Sequence, residues 1–226
     1  MPRLSHGDTF VDVGANIGYD SILASRLVGA AGRVVSIEAS PEFHRKVLHQ
    51  ARLNRAGNVR AINAAVSDRR RPLTFVLASS HNMGENSAVP YDGPAESTFT
   101  IDAAPLPELL GSDELANARV IKIDVEGAEG GVIRGLAPAL GKLRPDAEIA
   151  IEVTPERMAK LGDSIEELLE TMEGSGFHAY RIVNDYSAES YPPALHRAPS
   201  VPTRWRQPLI GENDLVFSRI DADALT

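Results

Sequence analysis

The tightest constraint on how this chain folds is a glycine-bearing turn, Asp12-Val-Gly14-Ala-Asn16-Ile-Gly18, set between a β-rich run and a helical one. Thr9–Gly14 (TFVDVG) reads as a strand, and Gly18–Val28 carries Ile22, Leu23, Leu27 and Val28 at helical spacing. Glycine accepts unusual dihedrals and leaves the backbone bare, so another group can approach it closely. The helix behind the turn offers free N–H groups and the positive end of its dipole, which suit a carboxylate or phosphate. A strand turning directly into a helix in this way is the opening of a parallel α/β sheet.

The chain continues that alternation. Arg33–Ala39 is a second strand, and Ser40-Pro41 starts a helix carrying Phe43, Val47, Leu48, Ala51 and Leu53. Val59–Ser67 is a third strand. Residues 69–118 break the rhythm: Leu73–Ala78 and Ser97–Asp102 read as strands around a polar stretch, a β-rich excursion after strand three. Alternation then resumes with strand Arg119–Val125, helix Ala128–Leu136, strand Ala147–Val153, helix Ser164–Glu173, and strands Ala179–Val183 and Asp214–Ile220. The last two have no helix between them, which predicts antiparallel pairing at the sheet edge. Residues 184–213 hold five of the fifteen prolines and show no periodicity, as expected of a long loop or substrate lid. The expectation is one domain over residues 1–226, with helices on both faces of a mostly parallel sheet.

Composition narrows the function. With 31 acidic against 23 basic residues the formal charge is −8, which disfavours a phosphate backbone as partner. There is no cysteine, so thiolate metal sites, disulfides and a Cys nucleophile are excluded. No apolar run approaches the ~20 residues that span a bilayer, and MPRLSHGDTF has no signal-peptide core. A cytoplasmic protein without nucleic-acid or membrane partners is expected.

Glu38 lies twenty residues after Gly18, at the end of the second strand, where an acid accepts the hydroxyls of an adenosine ribose. The spacing Gly14-x-Asn16-x-Gly18 lacks the third glycine of the dinucleotide fingerprint. Asp12, two positions before Gly14, suits an ammonium group, which a dinucleotide does not have. S-adenosylmethionine has an ammonium, a carboxylate, a ribose and an adenine. Asp12, the turn of Gly14, Asn16 and Gly18, Glu38 with Ala39, and the end of strand three (Ser67 and Asp68, facing the adenine) would serve them in turn.

FVDVGANIG, IEAS, NAAVSD, NDLVF and above all IKIDVEGAE (within residues 7–220) resemble the FkbM family of class I S-adenosylmethionine-dependent methyltransferases. The polar HNMGENS stretch is similar to the family's segment before its returning strand. The resemblance implies a Rossmann-like class I methyltransferase fold, a seven-stranded sheet with its last strand antiparallel. It also implies methyl transfer to a hydroxyl of a sugar or natural-product scaffold, leaving S-adenosylhomocysteine. Family members usually carry more chain before the glycine turn; if the chain is complete, cover for the acceptor is expected from the polar excursion, residues 184–213 or a second subunit in a homo-oligomer, and the alternative is a start site further upstream.

An alcohol acceptor needs its proton removed and its oxygen aligned with the methyl. Among acids at the strand ends, Asp124 reads as a base or orienting group beside the cofactor, and as a backbone-satisfied carboxylate otherwise. Glu152 reads as a second active-site acid or a buried structural one. Glu126 alternates with Asp124 and would face the substrate, while Glu129 reads as a structural acid of the first helical turn. Asp124 and Glu152 are the acids that would converge on Mg²⁺, but the six histidines are scattered and no metal is expected. His81 and Asn82 of the polar stretch, and Tyr186, Trp205 and Arg204 of the proline-rich segment, are candidate contacts for a small-molecule acceptor. Two other readings stand beside this one: an NAD(P)-dependent oxidoreductase, and a non-catalytic cofactor-binding subunit of the same fold.

Overall fold

The computed structural model describes residues 3–77, 86–87, 97–184, 200–209 and 211–226. In chain order the elements are β1 (Thr9–Val13), α1 (Tyr19–Val28), β2 (Arg33–Glu38), α2 (Pro41–Leu53), β3 (Val59–Asn63), β4 (Ala65–Val66), β5 (Arg71–Leu77), β6 (Asn86–Ser87), β7 (Ser97–Ala104), α3 (Leu106–Leu109), α4 (Ser112–Ala116) and β8 (Ala118–Ile123). They continue with α5 (Glu129–Leu136), a 3-10 helix (Ala137–Lys142), β9 (Glu148–Val153), α6 (Pro155–Lys160), α7 (Ile165–Gly174), β10 (His178–Ile182), β11 (Thr203–Arg204) and β12 (Asn213–Ser218).

Among the described residues, the main sheet has eight strands in the order β3-β2-β1-β8-β9-β12-β10-β11. Strands β3, β2, β1, β8 and β9 run parallel. The order reverses between β1 and β8, and such a switch point opens a crevice beyond the strand ends. Strand β12 runs antiparallel to both β9 and β10. This is the Rossmann-like sheet expected, with two corrections. The last strand, β12, is antiparallel and pairs with β10 as expected, but it sits between β9 and β10 with β10 and β11 outside it. The eighth strand, β11, comes from the proline-rich segment, where Thr203 and Arg204 pair with Arg181 and Tyr180.

The third strand is shorter than its sequence suggests. The Asn63 side chain donates to the carbonyls of Glu38 and Ala39 (2.9 and 3.0 Å), which ends the β2–β3 ladder. The next residues leave as β4 and join a second sheet built by the β-rich excursion, with four strands among the described residues in the order β4-β7-β5-β6. Phe75 of β5 stacks on Phe99 of β7, with ring centroids 5.2 Å apart.

Strand alternation divides the main sheet into two unlike faces. Val11, Val13, Ile121, Ile123, Ile149, Ile151, Leu215 and Phe217 point to one side and pack with Val132, Ile133 and Leu136 of α5 and Leu168 and Met172 of α7. All are nearly inaccessible to solvent, so this layer is the core. The alternate positions, Phe10, Asp12, Val120, Lys122, Ala150 and Glu152, face the side where α1 packs. Helix α1 departs from its apolar spacing. It buries Ser21, Ala24, Ser25 and Val28, and leaves Leu23 49% exposed and Leu27 40% exposed. The helix is turned so that Ser21 reaches the buried Asp12 carboxylate. Among the described residues, no helix is long and apolar enough to cross a membrane.

Candidate active site

The crevice at the switch point holds the first of two adjoining cavities. Its wall follows the strand order: Asp124, Val125 and Glu126 after β8, Val13, Gly14 and Asn16 after β1, Glu38 and Ala39 at β2, then Ala65, Val66, Leu73 and Phe75 from the second sheet. The glycine turn is shaped by a close approach. A Cβ on Gly14 would lie 1.8 Å from the Asp124 carbonyl oxygen, and its φ is +83°. Asn16 also sits in the left-handed region, at φ 50°. That conformation lets its backbone N–H donate to Glu38 Oε2 at 2.7 Å. The Ser40 N–H donates to Oε1 of the same carboxylate at 2.8 Å. Glu38 is thus fixed on the cavity wall with one backbone donor per oxygen, leaving lone pairs on each. Burial pushes its carboxyl up to about 7, against the lowering effect of those two donors.

Behind this wall runs a charged chain. Lys122 Nζ lies 3.0 Å from Asp124, 3.4 Å from Asp20 and 4.0 Å from Asp12. Burial works against the ammonium, but Asp12, Asp124 and Asp20 outweigh it and hold the lysine charged. Asp12 is fully buried and accepts from Ser21 Oγ at 2.5 Å, and that hydroxyl is also 2.6 Å from Ser36 Oγ. Burial raises the Asp12 carboxyl to about 6, with Lys122 and Ser21 opposing.

The second cavity, about 280 Å³, opens on the α1 side of the sheet. Its apolar wall includes Leu4, Phe10, Leu23, Leu27 and Val120, and its polar end has Lys122, Asp124, Glu152 and Asp214. Asp124 lines both cavities. Glu152 is paired in register with Asp214 and hydrogen-bonded to Glu212. Burial first, then the negative charges of Asp124, Glu212 and Asp214, raise the Glu152 carboxyl to about 8.

Of the residues expected from sequence, Gly14, Asn16, Glu38, Ala39, Asp124 and Glu126 come together on the first cavity. Glu126 does not alternate with Asp124 along a strand: β8 ends at Ile123, Glu126 has φ 56°, and its carboxylate is paired with Arg157. Glu129 is buried and accepts from the Gly127 N–H at 2.8 Å. Asp12 and Gly18 sit behind the glycine turn and line neither cavity. Nor do Ser67 and Asp68. Ser67 donates to Asp68 at 3.1 Å, accepts from Arg71 at 3.2 Å, and faces Gly131 of α5. Arg204 is spent on His178, Asp221 and Tyr180, and Trp205 packs on the core beneath Arg181. His81, Asn82 and Tyr186 lie outside the described residues. Among the described residues, no group of three or more metal-ligating side chains converges.

Sequence reasoning missed Lys122, Glu212 and the second-sheet residues Leu73 and Phe75. Lys122 was within reach: it precedes Asp124 by two positions at the end of β8, close enough for its ammonium to meet that carboxylate. Phe75 gave no such signal, because only the fold of the excursion brings it to the cavity that Glu38 also lines.

The family model described as the methyltransferase FkbM domain matches residues 12–179. No curated protein matches the sequence. Among solved structures, a methyltransferase FkbM from Methylobacillus flagellatus aligns with 96% of this chain and 45% of its own, at 17% identity and a TM-score of 0.53. This chain therefore spans less than half the length of that relative. A precorrin-6y C5,15-methyltransferase from Geobacter metallireducens aligns over 95% of this chain and 81% of its own (16% identity, TM-score 0.52). Fibrillarin from Aeropyrum pernix, solved with natively bound S-adenosyl-L-methionine, aligns over 100% of this chain and 69% of its own (14% identity, TM-score 0.51). At these identities the structural likeness speaks for the fold.

Proposed function

Because the chain belongs to the FkbM methyltransferase family, we propose that it is an S-adenosylmethionine-dependent O-methyltransferase acting on a hydroxyl of a sugar or natural-product small molecule. The observation that carries this is Glu38. It is a buried carboxylate held by two backbone donors on the same cavity wall as Gly14 and Asp124. It fits a ribose diol, and the bare backbone of Gly14 fits the closely approaching amino-acid portion of the cofactor. S-adenosylmethionine supplies its methyl group already activated on a sulfonium, whose sulfur leaves as a neutral thioether.

The chain's own residues then have three tasks. Glu38 and the glycine turn hold the cofactor. Asp124, where the two cavities meet, orients the acceptor hydroxyl while Lys122 fixes its carboxylate from behind. Glu152, on the second cavity, takes the hydroxyl proton as the new O–C bond forms. A carboxyl raised to about 8 is a stronger base than an ordinary glutamate. The apolar wall of the second cavity receives the body of the acceptor and keeps water from the methyl.

Calorimetry with S-adenosylhomocysteine and with NAD tests the cofactor assignment. Binding of NAD without S-adenosylhomocysteine would favour the oxidoreductase reading and overturn ours. Methyl transfer is then measured over a panel of hydroxylated sugars and macrolides. Glu152→Gln is expected to lower turnover on a working acceptor by at least about 100-fold with cofactor affinity intact. Undiminished turnover removes Glu152 as the base.

A further inference from the structure

Resting on the cofactor assignment above, we infer that the second sheet supplies the purine platform, and that the base is read by stacking and shape with no side-chain hydrogen bond to its exocyclic amine. The strand order fixes where the base lies. The cavity begins at Asp124, passes Gly14 and reaches the ribose site at Glu38. Beyond Glu38 the wall formed by the described residues is Ala39, Phe43, Ala65, Val66, Leu73 and Phe75, and none of these carries a polar side chain.

The two side chains best placed in sequence to meet the amine are committed elsewhere. Ser67 and Asp68 are bound to each other and to Arg71. They lie against α5, where a Cβ on Gly135 would come 2.3 Å from the Ser67 carbonyl oxygen. The Ser67 backbone N–H is also taken, by the Ala104 carbonyl at 3.0 Å.

Phe75 is well suited to act as a platform. It is packed with Ala65, Ala103, Ala39 and Leu73, and its ring lies within 5° of parallel to Phe99. That stack holds the ring before any base arrives, so little side-chain freedom is lost on binding. Every purine has a π-face, so a stacked base is held with little regard to its edge substituents.

The test is calorimetry on the whole chain with S-adenosylhomocysteine and S-inosylhomocysteine, in which oxygen replaces the exocyclic amine. The wild type is expected to bind the two within about threefold of each other, because stacking is tolerant of the edge. Phe75→Leu keeps an apolar side chain of similar bulk in the second sheet. It is expected to weaken both ligands in parallel, by about fivefold or more. Thr74→Ala, whose side chain lies exposed on the same strand and bonds Thr100, should leave both affinities unchanged. A wild type that binds S-inosylhomocysteine more than about tenfold more weakly overturns the inference, as such a loss indicates a site built to hydrogen-bond the missing group. So does a Phe75→Leu protein of native melting temperature with undiminished affinity. Failure of wild type to bind S-adenosylhomocysteine at all would instead overturn the cofactor assignment, and this inference with it.

Discussion

Gly14 has two reasons to be glycine, and they are separable. Its φ of +83° strains any side chain, and its missing Cβ leaves room for the Asp124 carbonyl. Gly14→Ala therefore must move the end of β8, and we expect a loss of roughly 3 kcal/mol or more by urea unfolding. Gly18 has a comparable φ of +87°, but a Cβ there would meet Val47 at 3.4 Å. Gly18→Ala should cost only the strain, on the order of 1–2 kcal/mol. Glu38 makes a prediction of a different kind. Its carboxyl is raised to about 7, and only the ionised form offers both oxygens to a diol. S-adenosylhomocysteine binding should tighten between about pH 6 and pH 8 and release a proton, seen as buffer-dependent binding enthalpy. Glu38→Gln should remove that pH dependence and weaken binding about tenfold or more.

At the scale of elements, Asn63 decides how much of the third strand belongs to the main sheet. Its amide takes the carbonyls of Glu38 and Ala39, so β3 stops and β4 crosses to the second sheet. Asn63→Ala should cost about 1–2 kcal/mol of stability, since two carbonyls lose their donor. It should also weaken cofactor binding, measurable in the same calorimeter. This explains what sequence could and could not tell. The β–α alternation, the Ser40 cap and the glycine turn are local signals, and they were legible. The Val59–Ser67 run is continuously β-rich, and nothing in its periodicity marks Asn63 as a stop. The apolar spacing of α1 does not mark its buried face, because Ser21 faces the sheet to meet Asp12, a polar contact that outweighs that spacing. Acids at strand ends were found because strand ends are predictable. The cavity wall built by β5 depends on tertiary placement alone.

For the molecule as a whole, the buried acids in and around the candidate site set how stability responds to pH. Asp12, Glu38, Glu129 and Glu152 all have carboxyls raised by burial, to about 6, 7, 7 and 8. A carboxyl raised in the folded state binds its proton more tightly there than in the unfolded chain. The stability it contributes is complete at low pH and is lost as pH rises through the folded value. Glu42, Glu114, Asp146 and Glu166 are lowered and matter only below the ordinary carboxylate range. The melting temperature of the ligand-free protein should therefore fall by roughly 5 °C or more between about pH 5.5 and pH 8.5. Glu38→Gln should flatten part of that slope. A flat or rising profile in wild type would show that these carboxyls ionise freely. The placement of β12 has a further consequence, for the order in which the sheet is made. It is the last strand in the chain, yet it fills the slot between β9 and β10. Until it emerges during synthesis, β9 and β10 present two unpaired edges and the core lacks Leu215 and Phe217. Nascent chains arrested after β11 should be cut rapidly by protease across β9 and β10, whereas chains carrying β12 clear of the exit tunnel should resist.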